Sequence, residues 1–575
     1  MIIAQRYYCL LDILDHSHCS TMPSSETIES EKAHSWRFYI AILSLNLIGF
    51  VATLEGTILS TALPRITQLI QTYGSTDYVW MANTFAVTQT VIQPPLAQIC
   101  NIFGRRMPMI ISIALFAIGS GITGGANDSI MFIAGRTVQG IGSGGIMLLV
   151  ELIVCDLVPM RERGKYLGIV LSSSAVGAIV GPVIGGALAE ANWRWIFYMN
   201  IPICGIVILI MKFAVRLRHR TDGTWKASFA RVDWVGSTLF ISSLCSILTG
   251  LVFGGSNPKY TWSSWRVTLP IVLGAIGWAA FHIYQASGFC KQPSIPSTLF
   301  KNRTSILGFF LVFDASILMQ WVAFFLPIYF QGVRLVSPLK SGINFLPFQA
   351  FLIPTATFVG AILSKTGKYK PLHWAGFMLC TIGLGLLTFL DNNTPTFEWV
   401  IFQAIEAVGQ AILIPTILPA IQASLPESEV ASSVGLYSFL RSFGWVWGIT
   451  IPSIIFNNRW DQLDSQIKDE QVRASLSGGQ AYHSAGVHSS WSESTLEAVV
   501  SVYTDTLKTL WYAGIVVAGI GFLAVFGEKS LILRNTLETE FGLEQEKQGR
   551  NIEVEKANDG EAKTVQDVVI STNSK

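Results

Sequence analysis

Gly177-Ala-Ile-Val-Gly181-Pro182-Val-Ile-Gly185-Gly186 lies in the middle of an apolar run from Tyr166 to Leu188. A bilayer crossing needs roughly 20 such residues, so the run predicts a membrane helix. Its glycines let a neighbouring helix approach closely, and Pro182 removes one ladder hydrogen bond and permits a bend. The segment is built to pack tightly and to flex. Small residues at this spacing also occur in membrane helices that only pack, so the stretch decides the class of fold before it says anything about activity.

The rest of the chain agrees with a polytopic membrane protein. Of its 575 residues 51% are hydrophobic and 13% charged, with a mean hydropathy of +0.47, whereas a soluble domain has roughly 25% charged residues. The net charge of +2 says nothing about acidic partners, and no nucleic-acid partner is expected. Eight cysteines are scattered without a Cys-x-x-Cys pair, mostly in apolar runs, which reads as reduced thiols with no disulfide framework and no zinc site.

Fourteen candidate spans follow Trp36, near 38–61, 78–98, 107–125, 130–155, 166–188, 195–215, 234–254, 267–285, 305–330, 342–364, 372–390, 397–420, 432–456 and 511–533. An even number puts both termini on one side. With that side cytosolic, 17 Lys and Arg fall in inner loops against six in short outer ones, as the positive-inside rule requires. Both termini are therefore expected in the cytosol. Residues 1–35 lack a secretory signal and read as a disordered tail; Met22-Pro-Ser-Ser-Glu-Thr resembles an ordinary start, and an N-terminal peptide upstream of Met22 in mass spectrometry would refute initiation there. Residues 536–575 read as a second disordered tail, and 457–510, rich in Ser, Gly, Glu and Gln, as one long flexible external loop. Sequons occur at Asn127, Asn302 and Asn392; Asn302 should be cytosolic, Asn127 is too near the membrane, and Thr394-Pro395 disfavours glycosylation at Asn392.

A weak repeat joins Ala97-Gln-Ile-Cys-Asn101-Ile-Phe-Gly104-Arg105-Arg106 to Gly360-Ala-Ile-Leu-Ser364-Lys-Thr-Gly367-Lys368-Tyr369. Two related halves are what transporter folds are made from. The division is then 36–215 for one six-helix bundle, 216–304 for a linker and two inserted helices, and 305–535 for a second six-helix bundle.

Intramembrane charges are expensive, at least roughly 2.5 kcal/mol at a helix centre, and call for a partner, a wet cavity or a proton. Glu55 lies in the first span within Leu54-Glu55-Gly56-Thr57. Desolvation favours the neutral form of a carboxyl, so such a group could load and unload protons. A position in contact with headgroups would equally tolerate it. Arg136, six residues into the fourth span in Arg136-Thr-Val-Gln139-Gly140-Ile-Gly142, stays charged and should face a partner inside the bundle. Asp314, Glu406 and Arg441 are the other ionisable residues placed to line a central cavity or to pair structurally, while Glu151, near the cytosolic end of its span, could simply be wet. The 34 Phe and 17 Trp suit an apolar substrate and lipid contact alike.

In order along the chain, these motifs resemble the fourteen-span drug:proton antiporters of the major facilitator superfamily over roughly residues 36–535. Leu54 to Pro64 is similar to their first-helix motif, with Glu55 where Asp is usual. Phe103-Gly104-Arg105-Arg106 is similar to the loop between helices two and three, with Ala97 and Asn101 replacing a Gly and an Asp; this weakens a charge relay and leaves a gating or anchoring role. Arg136, Gln139, Gly140 and Gly142 match the fourth-helix motif, whose arginine is implicated in proton coupling. Gly177, Gly181, Pro182, Gly185 and Gly186 match the fifth-helix antiporter motif. Asp156 to Gly164, Trp193 to Pro202, Leu326 to Gln331 and Ser438 to Gly444 look like fungal pumps of this group, and the tryptophans double as an interfacial belt.

The resemblance implies an all-α major facilitator fold, two six-helix bundles plus two inserted helices, acting as a monomeric exporter of lipophilic small molecules driven by protons. No cofactor or metal is implied, and no Walker-type loop points to ATP. An arginine fixed near Glu55 would hold it charged in one conformation and release it in another. The plasma membrane is the expected site, with the vacuolar membrane as the alternative. A siderophore carrier of the same superfamily, a polytopic enzyme and a transport-dead sensor are the rival readings; the eight His residues are dispersed without a catalytic cluster.

Overall fold

The computed structural model describes residues 36–70, 77–213, 225–256, 262–287, 290, 292–476, 481 and 491–534. The tails expected at 1–35 and 536–575 lie outside the described residues. The first group of helices is α1 (Trp36–Leu69), α2 (Asp77–Val91), α3 (Gln93–Phe103), α4 (Arg106–Gly124), α5 (Ser129–Leu157), α6 (Met160–Asn192), the short α7 (Trp195–Tyr198) and α8 (Asn200–Phe213). A short α9 (Trp225–Ala230) leads into the hairpin α10 (Trp234–Ser256) and α11 (Trp265–Ala286). The last group is α12 (Arg303–Ile328), α13 (Pro338–Thr366), α14 (Lys370–Leu387), α15 (Thr396–Leu413), α16 (Ile417–Ala423), α17 (Val430–Leu463), α18 (Glu470–Leu476) and α19 (Glu493–Phe526).

Twelve of these helical segments are long and apolar enough to cross a membrane, against fourteen spans expected from sequence. Two account for the difference. The span read at 78–98 is broken into α2 and α3, because Pro94 and Pro95 have no N–H to continue the ladder and neither piece is long enough alone. The span at 372–390 is α14, only 18 residues long and opening on Lys370, Pro371 and His373. Both remain packed among the others: α2 against α5, α3 against α17, and α14 against α15 and α19. Ile118, Leu209, Ile276, Ile283, Val516 and Leu523 face outward from the assembly. In water such an apolar exterior would be a liability; against acyl chains it is the favourable arrangement.

The segment 457–510 is not one loop. Helix α17 runs on to Leu463, α18 covers Glu470–Leu476, and α19 begins at Glu493 behind a Ser492 cap that accepts from the Thr495 amide at 3.3 Å. Val499, Val502, Tyr503, Thr506 and Leu510 are buried. That is a helical stripe whose polar residues lie on the other faces.

Packing joins helices within each group and also across them, α6 lying along α13 and α3 along α17. Within the first group α1 lies along α6, α4 on α5, and α8 on α4 and α1; within the last, α12 lies on α17, α15 on α13, and α14 on α15 and α19. The α10–α11 hairpin leans on both groups through Trp80–Phe253 and Phe240–Phe439. Helix α3 ends at Gly104 with φ +79° and α13 ends at Gly367 with φ +65°. Both related loops therefore turn through the left-handed region that glycine alone enters freely.

Candidate functional site

The polar core of the first bundle is assembled from α1, α4, α5 and α8. Glu55 and Arg136 are both fully buried, and the guanidinium donates to Glu55 Oε1 at 2.6 Å and to Gln139 Oε1 at 2.8 Å. Asn200 donates to Glu55 Oε2 at 2.7 Å, and Ser120 receives a hydrogen bond from Gln139 at 2.8 Å. The guanidinium also lies over the Phe85 ring, 4.3 Å from its centre. Headgroup contact is thus ruled out for Glu55: the carboxylate is satisfied on both oxygens by protein, as a charge in low dielectric must be. Asn200 and Ser120 were missed in the sequence; a lone Asn inside an apolar run was the available signal.

Helix α6 holds α1 in place. A Cβ at Gly177 would come within 2.4 Å of the Phe50 carbonyl, and one at Gly181 within 2.2 Å of Thr57 Oγ1 and 3.0 Å of the Leu54 carbonyl. The motif forms a seam running directly beside the helix that carries Glu55. Gly185 is buried, whereas a Cβ at Gly186 would meet nothing within 4 Å, so no packing contact requires that glycine. The Pro182 side chain lies outside the described residues.

The bundles meet at the end that carries the basic loops. Arg163 is buried and donates to Gln422 at 2.8 Å and Glu427 at 2.5 Å. Arg161 donates to the Ser364 carbonyl at 2.7 Å, Ser172 lies 3.2 Å from Thr357, and Asn101 donates to Ser432 at 3.4 Å. Close backbone approach accompanies these bonds, since a Cβ on Gly360 would sit 2.3 Å from the Gly164 carbonyl. Glu151 is not wet: it is buried, accepts from Ser438 at 2.6 Å and pairs with Arg441 across the junction. Arg105 is not an interfacial anchor either. It is buried, donating to Asp156 at 2.8 Å, to the Cys100 carbonyl at 2.7 Å and to Asn101 at 3.3 Å. Arg106 donates to the Lys212 carbonyl.

Asp314, Glu406 and Arg441 do not share one cavity. Arg441 belongs to the junction, whereas Asp314 and Glu406 turn towards α14 and α19: Asp314 Oδ2 fills the space beside Gly521, and Glu406 Oε2 the space beside Gly383. Asn392 lies exposed in the turn between α14 and α15, its carbonyl bonded to Arg334. Asn302 is exposed and donates to the Ser424 carbonyl, and Asn127 accepts from Arg194 at 3.0 Å. Trp195 is exposed as a belt residue would be, but Trp193 is buried against Phe132 and Phe197. His373 is buried and bonded to Glu528 at 2.8 Å.

This combination of two helical bundles, an internal turn repeat and a charge pair buried in the membrane region defines a secondary transporter. The Major Facilitator Superfamily profile matches residues 45–449, and the chain belongs to that superfamily. It is 48% identical to the MFS efflux transporter aclA of Aspergillus oryzae, over 91% of this chain and 95% of that protein. Identity is 44% to the MFS-type transporter gkaD of Penicillium citrinum, over 91% and 90%, and 40% to the MFS-type efflux pump LUC4 of a Fusarium species, over 95% and 96%. Among solved structures, the human organic anion transporter MFSD10 superposes with a TM-score of 0.52 at 13% identity, covering 84% of this chain and all of that one. The proton:xylose symporter XylE gives 0.51 at 13% identity, covering 80% and 94%.

Proposed function

We propose that the protein exports apolar organic compounds across the plasma membrane of a fungal cell in exchange for protons entering through Glu55. Export of organic compounds follows from the efflux transporters and pumps to which it is related along nearly its whole length. The observation that carries the coupling is the buried Glu55–Arg136 pair at 2.6 Å, set on the helix that α6 grips through Gly177 and Gly181. A proton arriving at Glu55 neutralises it and leaves Arg136 uncompensated, which favours repacking; repacking of α1 is transmitted to α6 along the glycine seam.

The inner end is the basic end, with both termini cytosolic. In this conformation the bundles are joined there by Arg163 to Glu427, Arg161 to the Ser364 carbonyl and Glu151 to Arg441, which corresponds to the state closed towards the cytosol. The stacked rings of Phe313, Phe439 and Phe443, with Trp278 alongside, supply an aromatic surface where α12, α17 and the hairpin meet. Such a surface suits a lipophilic, planar cargo.

The test is efflux of a panel of fluorescent lipophilic compounds from a pump-deficient yeast expressing the chain, with and without a protonophore, beside Glu55→Gln. Export that disappears in both conditions supports antiport through Glu55. Export that survives both overturns the coupling, and a chain correctly inserted that moves none of the compounds overturns the substrate class.

A further inference from the structure

The repeat gives each half a polar cluster between its first, third, fourth and sixth helices. In the first half these are α1, α4, α5 and α8, with Glu55, Ser120, Arg136 and Asn200. In the second half they are α12, α14, α15 and α19, with Asp314 beside Gly521, Glu406 beside Gly383 and Cys380 beside Gly409. The helix order is the same and the charge is not: the fourth helix of the first half carries Arg136, and that of the second half carries Glu406.

Among the described residues neither carboxyl of the second cluster has a cation. Asp314 is 4% exposed, Glu406 is fully buried, and Asp314 Oδ2 and Glu406 Oε2 are buried without a hydrogen-bond partner. Among the described residues the hydrogen bond to Glu406 comes from a neutral donor, the Gln410 amide at 3.2 Å. The basic side chains on the surrounding helices are engaged elsewhere: Arg441 of α17 with Glu151, His373 of α14 with Glu528, and Lys370 with the Phe526 and Glu528 carbonyls. Arg303 and Lys508 lie about three turns or more away, along α12 from Asp314 and along α19 from Gly521.

Room for these carboxyls is cut by glycine. A Cβ at Gly521 would fall 2.3 Å from Asp314 Oδ2 and 2.4 Å from the Phe377 ring, and one at Gly383 would fall 2.7 Å from Glu406 Oε2. An ionised carboxylate taken out of water without a counter-charge is prohibitively unfavourable, whereas a neutral carboxylic acid in the same apolar surroundings is tolerated.

We propose that Asp314 and Glu406 form a second proton-binding site, in the C-terminal bundle, occupied by one proton on each side chain in this conformation and distinct from the Glu55–Arg136 pair. The proposal does not rest on antiport through Glu55, because occupancy is a property of the resting protein.

Infrared difference spectra of the full chain in lipid nanodiscs test it without a substrate. Wild type minus Asp314→Asn and wild type minus Glu406→Gln are each expected to show loss of a carboxylic-acid C=O band that shifts in D2O, while wild type minus Glu55→Gln shows loss of a carboxylate band. Asn and Gln copy the shape of the neutral acids; should either variant fail to elute as a folded species, Asp314→Ser and Glu406→Leu remove the same band. Loss of a carboxylate band on replacing Asp314 or Glu406 overturns the proposal, and would point to a bound metal cation in place of the protons.

Discussion

In the N-terminal bundle the buried cluster of α1, α4, α5 and α8 balances its charge, with Glu55 bonded to Arg136 and Asn200; in the C-terminal bundle the cluster of α12, α14, α15 and α19 carries Asp314 and Glu406 and no cation among the described residues. The backbone repeat is close enough to give both halves a glycine-terminated basic turn, at Gly104 and Gly367. Duplication of a helical scaffold therefore conserves where polar atoms can be buried without conserving how they are neutralised. An ion pair solves the electrostatic problem with two side chains, and a proton solves it with one. The first solution is rigid and directional. The second can be filled or emptied by water.

The largest effect in this comparison is expected from breaking the balanced side. Glu55→Gln leaves the Arg136 guanidinium buried with Gln139 and the Phe85 ring but no negative charge. Removing one partner of such a pair costs about 3–5 kcal/mol. Thermal unfolding in detergent should show a marked drop for Glu55→Gln, and partial recovery when Arg136→Gln is added to it. A double variant no more stable than Glu55→Gln alone would mean that the ion pair is not what the cluster depends on.

Next come the glycines that set the two clusters. Gly181→Ala would force a methyl against Thr57 Oγ1 at 2.2 Å and push α6 off the helix carrying Glu55. Gly521→Ala would force one against Asp314 Oδ2 at 2.3 Å. Overpacking of this kind costs about 1–3 kcal/mol. A double-mutant cycle sharpens the contrast: Gly521→Ala should be relieved in part by Asp314→Ala, the Phe377 ring at 2.4 Å remaining, with coupling of about 1 kcal/mol or more, and Gly181→Ala should not. Gly186→Ala, whose methyl meets nothing within 4 Å, serves as the silent control for stability.

Much of this architecture is legible in the sequence, for physical reasons that differ by element. Apolar length alone locates α1, α5 and α12, since a helix that satisfies its own backbone is the only solution inside hydrocarbon available to such runs. Length fails where polar residues are paid for by packing: at Gln93-Pro94-Pro95, where the span breaks, and along α19, whose Glu493, Glu497 and Asp505 hide the buried stripe of Val499, Val502 and Tyr503. Glu55 and Arg136 stand out as charges in apolar runs, but Asn200 and Ser120, which complete their hydrogen bonds, are ordinary polar residues until α8 and α4 are seen side by side. Glu151 reads as wet because distance from a span's end says nothing about burial when another bundle covers that end. The separation of Asp314 and Glu406 from Arg441 depends on helix rotation, which no spacing rule fixes at a single residue.

The smallest expected effect is the most discriminating. If Asp314 and Glu406 each hold a proton, Asp314→Asn and Glu406→Gln exchange one neutral group for another of the same shape and should move the unfolding midpoint by the equivalent of about 1 kcal/mol or less, the worth of one neutral hydrogen bond. If instead either is ionised and balanced by a bound cation, the same substitution removes the ligand charge, and stability should acquire a dependence on that cation in wild type that the variant lacks. Unfolding of the three proteins in sodium, potassium and choline buffers of equal ionic strength separates the two cases. Midpoints that agree across the buffers and nearly agree across the proteins leave the proton as the neutralising partner. A sodium- or potassium-dependent rise confined to wild type would make the C-terminal cluster a metal-ion site and erase the contrast with Glu55 and Arg136, since both halves would then neutralise a carboxylate with a full positive charge.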